Sequence, residues 1–225
     1  MKVLVIDTAL GLCSAGVFEV EGETARPLGL RSEVMTKGHS ERLAGLARDA
    51  VAEAGGFGVI DRIAVTVGPG SFTGLRVGLA FAQGLGAALN RPVVGISTLD
   101  ALAASVEAKT VAALIDARRG QVYARFWRDG VAEGPPEALS LEQATARVTA
   151  LGPGATLVGT GASLLTEAAP DGVIADRPGA APEAVARLAA GLDPEAAPPA
   201  PLYLRAPDAT PPTRLPGQPR AGAAA

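Results

Sequence analysis

Cysteine, histidine and aromatic residues are all scarce in this chain: 225 residues carry one Cys, one His, and only 4% Phe, Trp and Tyr together. A single cysteine, Cys13, cannot close a disulfide within the chain. A single histidine, His39, cannot build the usual multi-His or Cys/His metal sites. A disulfide scaffold and structural zinc are both excluded. Positive charge is not in excess either, since 20 Lys plus Arg face 23 Asp plus Glu for a net of −3. That excludes a basic nucleic-acid-binding domain and predicts weak nucleic-acid binding by this chain alone. Long apolar runs are missing as well. Residues 77–89 lack charge but fall short of the ~18–20 residues that span a bilayer, so a buried helix is expected. The first apolar run, Val3-Leu4-Val5-Ile6, is ended by Asp7 well before the ~7–15 residues of a signal-peptide core. Leu12 is too large to precede a lipidated Cys13. A cytoplasmic protein without a membrane segment is expected.

What is present is apolar but small: 48% of residues are hydrophobic and 19% charged. The core must therefore be built from Ala, Val and Leu. At roughly 100–200 residues per domain, the length allows one large domain or two small ones. Val3–Ile6 reads as a strand covered on both faces, and Cys13–Val20 as a second strand. From His39, apolar residues recur at Leu43, Leu46, Ala47, Ala50, Val51 and Ala54, one face of a helix that Gly55-Gly56 ends. Ile63–Val67 is a strand, followed by the turn cluster Gly68-Pro69-Gly70-Ser71 and a helix over residues 73–89. Val93–Ile96, Ala112–Ile115, Tyr123–Trp127 and Leu157–Val158 read as strands. Leu141–Leu151 and Glu183–Ala190 read as helices. Residues 194–225 hold 9 of the 18 prolines, the composition of an extended or partly disordered tail in which only Leu202-Tyr203-Leu204 offers a docking element.

The chain also repeats itself. With Ile6-Asp7 written over Ile115-Asp116, Gly11 falls on Gly120 and Ala15 on Ala124, so strand, acidic residue, turn glycine and outgoing strand recur together. This predicts an internal duplication, with one subdomain over residues 1–100 and another over 101–193. Asp7 and Asp116 then end equivalent strands at glycine-containing turns, where open α/β sheets place ligands. Two such turns facing one cleft suit a nucleotide's phosphates and magnesium. The alternative is that each aspartate holds its own turn backbone, and Arg118 and Arg119 beside Asp116 favour that alternative there.

Three further patterns bear on chemistry. The Gly68–Gly74 segment precedes a helix N-terminus, as phosphate loops do, but no Lys follows, and a tight strand-to-helix turn is the plainer reading. Gly74, Gly78, Ala82 and Gly86 recur every four residues, and each interior glycine costs up to ~1 kcal/mol of helix stability against Ala. Close approach of another element would offset that cost, and spacing alone leaves open whether it belongs to this chain or to another subunit. Cys13 or Ser71 with His39 and Asp7 supplies the residue types of a catalytic triad, yet a lone histidine at a helix start more often caps or packs.

Taken together, Ile6-Asp7-Thr8, His39-Ser40-Glu41-Arg42-Leu43, the run from Gly68 to Arg76, Gly95-Ile96-Ser97-Thr98-Leu99, Ile115-Asp116-Ala117-Arg118-Arg119-Gly120 and Tyr203-Leu204-Arg205 resemble the TsaB (YeaZ) family across residues 1–205. The resemblance implies an α/β fold of the actin/Hsp70/sugar-kinase (ASKHA) kind, with two similar subdomains. It also implies a role in forming threonylcarbamoyladenosine beside the anticodon of tRNAs that read codons beginning with A. In that family the catalytic subunit is the paralogue TsaD, whose paired-histidine metal motif this chain lacks. The resemblance therefore implies a noncatalytic scaffold that holds no metal, pairs with TsaD through its first two helices, and is joined by the ATPase TsaE. It further implies homodimers when TsaD is absent, tRNA contact only through the complex, and no cofactor on this chain alone, with ATP or ADP at the assembled complex. The matching interface residues are His39, Leu43, Leu46, Ala47, Ala50, Gly74, Leu75, Gly78 and Ala82, and Asp7, Thr8 and Asp116 would form a vestigial nucleotide site. Two other readings stay open, a phosphotransferase of the sugar- or acetate-kinase kind and a peptidase using His39.

Overall fold

The computed structural model describes residues 1–205; the remainder of the expected tail, 206–225, lies outside the described residues. The chain begins with a meander of three antiparallel strands, β1 (Lys2–Asp7), β2 (Leu12–Glu21) and β3 (Thr24–Val34). Then come α1 (His39–Glu53), β4 (Arg62–Gly68), α2 (Phe72–Leu89), β5 (Val93–Ser97) and the short α3 (Thr98–Ala103). The second half follows the same plan. β6 (Val111–Asp116), β7 (Gln121–Arg128), β8 (Val131–Ala132) and β9 (Glu137–Ser140) form the meander. α4 (Leu141–Leu151), β10 (Thr156–Val158), a 3-10 segment (Ala162–Ala168), β11 (Val173–Ala175) and α5 (Pro182–Gly191) complete it.

Strand order carries the duplication. The first sheet runs β3-β2-β1-β4-β5, with β1 antiparallel to β2 and parallel to β4. The second runs β11-β10-β6-β7-β8, with β9 also on β7, and β6 is antiparallel to β7 and parallel to β10. Each sheet is thus a meander extended by two parallel strands, the subdomain of an ASKHA fold, and the two sheets are related as the sequence repeat predicts.

Three apolar layers result. Leu4, Ile6, Cys13, Ala15, Val17, Leu43, Leu46 and Leu79 pack the first sheet against α1 and α2. Ala112, Leu114, Val122, Ala124, Phe126, Val148 and Leu165 pack the second sheet against α4 and the 3-10 segment. Val3, Val5, Phe18, Leu99, Ala113, Ile115 and Val185 fill the layer between the sheets, where α3 and α5 lie. The helix ending each half crosses to the other's sheet: α5 packs on β1, β2 and β3, while α3 packs on β6. This exchange ties the halves together.

The layers correct one detail of the repeat. In the first hairpin Ile6 pairs with Ala15, and both face α1 and α2. In the second hairpin Ala124 pairs with Leu114, and both face α4. Ala15 therefore stays on Ala124, but Ile6 falls on Leu114 rather than Ile115, because the second turn is one residue longer. A one-residue change of register moves a side chain to the opposite face of a strand. Asp116 is the counterpart of Thr8, and Asp7 that of Ile115.

Candidate functional site

The segment from Gly68 to Gly74 is glycine-rich because it lies directly on the β1–β2 turn. A Cβ on Gly70 would fall on the carbonyl oxygen of Ala9, and one on Gly74 on that of Thr8. The Ser71 amide donates to the Ala9 carbonyl at 2.7 Å, and the Ser71 hydroxyl accepts from the Gly74 amide at 3.2 Å, capping α2. These amides hold the chain's own turn, which favours the strand-to-helix reading over a phosphate loop. The stripe continues the same contact: a Cβ on Gly78 would fall on the Thr8 hydroxyl, and one on Gly86 on Val93. The approach that offsets the glycine cost is internal.

The residues expected at a partner interface are accordingly buried within this chain. His39, Leu43, Leu46, Ala47 and Ala50 of α1 and Gly74, Leu75, Gly78 and Ala82 of α2 all face the fold. They do not offer a surface to another subunit. The amphipathic pattern marks the inward face. The outer face is unusual. On α2, Ala80, Gly84, Ala87 and Ala88 are exposed and Val77, Phe81 and Leu85 half-buried, with no charged residue from Val77 to Leu89. Only 33% of α2 is buried, although its composition is that of a core helix. Gly84 on α2 and Gly45 on α1 have nothing within 4 Å of the position of a Cβ, so nothing among the described residues offsets their helix cost.

Between the halves lies a cleft of about 540 Å³. Gly11, Val34, Thr36 and Ser71 line it from the first half, and Asp116, Arg118, Tyr123 and Thr160 from the second. Of the three residues expected at a nucleotide site, Asp116 alone lines it. Its carboxylate accepts from the Arg118 amide at 2.8 Å and pairs with the Arg118 guanidinium at 3.3 Å, so it organises the hairpin tip. Arg118 and Arg119 there take left-handed φ values of 61° and 56°. Thr8 is buried, its hydroxyl donating to the Gly74 carbonyl at 2.8 Å. Asp7 is buried too, and one carboxylate oxygen accepts from the Ala9 amide at 2.9 Å and the Thr66 hydroxyl at 2.7 Å. The other oxygen has no hydrogen-bond partner among the described residues. Burial raises the Asp7 carboxyl above its ordinary value, while the Ala9 and Thr66 bonds and nearby His39 oppose the rise. The register slip explains the pair's separation: Asp7 points into the inter-sheet face, and Asp116 does not.

The triad residues fare no better. Cys13 is buried and its thiol is pushed up to about 11, chiefly by burial and then by Glu33 and Asp7. The nucleophile in cysteine chemistry is the thiolate, which this environment suppresses. Ser71 is committed to its cap, and His39 is buried with Nε2 lacking a hydrogen-bond partner among the described residues.

Comparison with known proteins agrees with this architecture. The family model described as "TsaD: tRNA N6-adenosine threonylcarbamoyltransferase" matches residues 17–131. The structure of YeaZ from Pseudomonas aeruginosa superposes with a TM-score of 0.71 at 30% identity, covering 90% of this chain and 99% of that one. The chain belongs to the TsaB (YeaZ) family. A Mycobacterium leprae protein is 42% identical over 57% of this chain and 36% of its own length. The Escherichia coli tRNA threonylcarbamoyladenosine biosynthesis protein TsaB is 36% identical over 57% of this chain and 56% of its own length. The chain thus spans about half or less of these two relatives. In the TsaB (YeaZ) frame, the features unexplained by the fold itself are the cleft and the uncharged outer face of α2 from Val77 to Leu89. Sequence reasoning found the helix and missed the face, for which the signal was Gly84 standing off the every-fourth-residue stripe.

Proposed function

We propose that this chain is a noncatalytic scaffold in formation of the threonylcarbamoyl group on tRNA adenosine, pairing with a TsaD-like transferase subunit through the outer faces of α1 and α2. The observation that carries this reading is the outer face of α2 from Val77 to Leu89, uncharged and largely exposed beyond Arg76, with Gly84 and Gly45 open to close approach. A water-facing helix surface ordinarily carries charge, and helix-interior glycines without a neighbour cost stability that a closely packed partner helix restores. The same face self-associates when the partner is absent, because an exposed apolar patch buries itself where it can. A TsaE-like ATPase joins the pair, nucleotide binds at the assembled complex, and tRNA is met through the complex rather than through this chain, whose net charge is −3. Buried Asp7, suppressed Cys13 and cap-bound Ser71 support the noncatalytic assignment over the peptidase and phosphotransferase readings.

The test is reconstitution of tRNA threonylcarbamoylation from TsaC-, TsaD- and TsaE-like proteins of the same organism, read as modified adenosine by mass spectrometry. Modification should require this chain, survive Asp7→Asn, and be lost with Ala80→Glu on the outer face of α2, while Ala138→Glu on exposed β9 leaves it intact. Modification that proceeds equally without the chain refutes the role. Full activity of a folded Ala80→Glu variant refutes the interface.

A further inference from the structure

We infer that residues 193–205 form a clasp that fixes the width of the cleft between the two halves, independently of any ligand or partner. The segment leaves α5 and runs along the first half: the Gly95 amide donates to the Ala197 carbonyl at 3.0 Å, and the Leu202 amide donates to the Val67 carbonyl at 2.7 Å. The first sheet is shaped to receive it. A Cβ on Gly68 would meet the Leu202 carbonyl oxygen at 2.6 Å, and one on Gly95 the Pro198 carbonyl oxygen at 2.7 Å. On α2, the Gln83 side chain donates to the Pro199 carbonyl at 2.8 Å, and Phe72 packs on Tyr203 with ring centroids 5.3 Å apart.

The last described residue crosses to the other half. The Arg205 guanidinium donates to the Ala117 carbonyl at 3.1 Å and to the Gln121 side-chain oxygen at 2.5 Å. It also sits 5.9 Å from the Tyr123 ring centroid. Ala117 and Tyr123 line the cleft, so the clasp is anchored on the first sheet and fastened to the cleft's opposite wall. The exchanged helices and the Gly11 amide, which donates to the Pro178 carbonyl at 2.9 Å, already join the halves, and the hinge motion left to the cleft is limited by what further spans it. Arg205 spans it, its Nη2 donating to both acceptors. The cleft therefore keeps one width in the isolated chain, and Tyr203 against Phe72 connects that width to the N-terminus of α2.

The experiment places spin labels on exposed Val34→Cys in the first half and exposed Ala138→Cys in the second, in the full chain, where buried Cys13 stays unlabelled. Inter-label distances are then compared with those of the same chain carrying Tyr203→Ala and Arg205→Ala, and hydrogen exchange at the Leu202 amide reports whether the segment has left Val67. The parent should show one narrow distance distribution. The double variant should lose at least about tenfold protection at Leu202 and gain a second, longer distance. Loss of protection with an unchanged distance overturns the clasp. Retained protection in the double variant also overturns it, because Tyr203 and Arg205 would then not be what holds the segment.

Discussion

Two glycines of one helix should respond oppositely to the same methyl group. Gly78 and Gly84 both lie inside α2, so replacing either by Ala gains the same helix propensity, up to ~1 kcal/mol. At Gly84 the new Cβ meets nothing within 4 Å, and the gain stands. At Gly78 it falls on the Thr8 hydroxyl, which donates to the Gly74 carbonyl in a buried site. Displacing that hydroxyl leaves buried polar groups unpaired, at ~1–3 kcal/mol, and overpacks the contact between α2 and the β1–β2 turn by a similar ~1–3 kcal/mol. Gly84→Ala is therefore expected to stabilise the isolated chain by about 0.5–1 kcal/mol, and Gly78→Ala to destabilise it by about 1–5 kcal/mol after the propensity gain. For a chain of this length each kcal/mol moves Tm by about 2–4 °C. Thermal and urea denaturation at one protein concentration separate the two easily. If Gly78→Ala is neutral, or Gly84→Ala destabilising, the assignment of inner and outer faces of α2 is wrong. The same Gly84→Ala variant should weaken the complex with the TsaD-like subunit, so that stability and partner affinity move in opposite directions.

Asp7 and Cys13 give two further outcomes. Because burial raises the Asp7 carboxyl above its ordinary 3.8, the native state holds that proton more tightly than the unfolded chain does. The stabilisation from it is complete below the ordinary value and is lost as pH rises through the raised one. Asp7→Asn keeps an oxygen for the Ala9 amide and the Thr66 hydroxyl, so denaturation from about pH 4 to 8 should show a flatter decline and no loss of stability at neutral pH; a destabilised variant with the parental slope contradicts this. Cys13, with its thiol at about 11 and no exposure, should react with a thiol reagent at neutral pH at least about a hundredfold slower than in the urea-unfolded chain. Prompt labelling of the folded protein would restore it as a candidate nucleophile.

The elements that were legible in the sequence are those whose patterns are long and punctuated. α4 spans Leu141–Leu151 as its periodicity predicts, and β1, β4, β5, β6 and β7 fall where the apolar runs lie. β3 was not legible: it is an edge strand holding Pro27 and Gly29, most of its residues face water, and a register shift interrupts its pairing with β2. α3 has six residues and β8 two, too few for periodicity to register. The candidate site was legible only in part. The small-residue stripe on α2 announces that something approaches closely, but spacing cannot say whether that neighbour is the chain's own β1–β2 turn or another subunit. Asp7 and Asp116 looked equivalent because the hairpins share a strand, an aspartate and a turn glycine. A turn longer by one residue in the second hairpin separates their side chains onto opposite faces, and nothing in a pairwise reading of the two segments marks where the extra residue lies.

α2 carries two separate messages, and distinguishing them is what gives the interface argument its force. Its inner face must be small and apolar, because Thr8, Val65 and Val93 crowd it; that requirement is met by Gly74, Gly78, Ala82 and Gly86 and implies nothing about partners. The outer face is under no such requirement. Charged residues there would add solubility and favourable pairs four residues apart at no cost to the core, yet none occurs from Val77 to Leu89. α1, packed beside it, shows the ordinary solution, with Glu41, Arg42, Arg48, Asp49 and Glu53 all exposed. Two adjacent helices of one layer thus differ in charge on the side facing away from the fold. The fold alone gives no reason for that difference, whereas a second polypeptide laid against α2 and reaching Gly45 at the edge of α1 does.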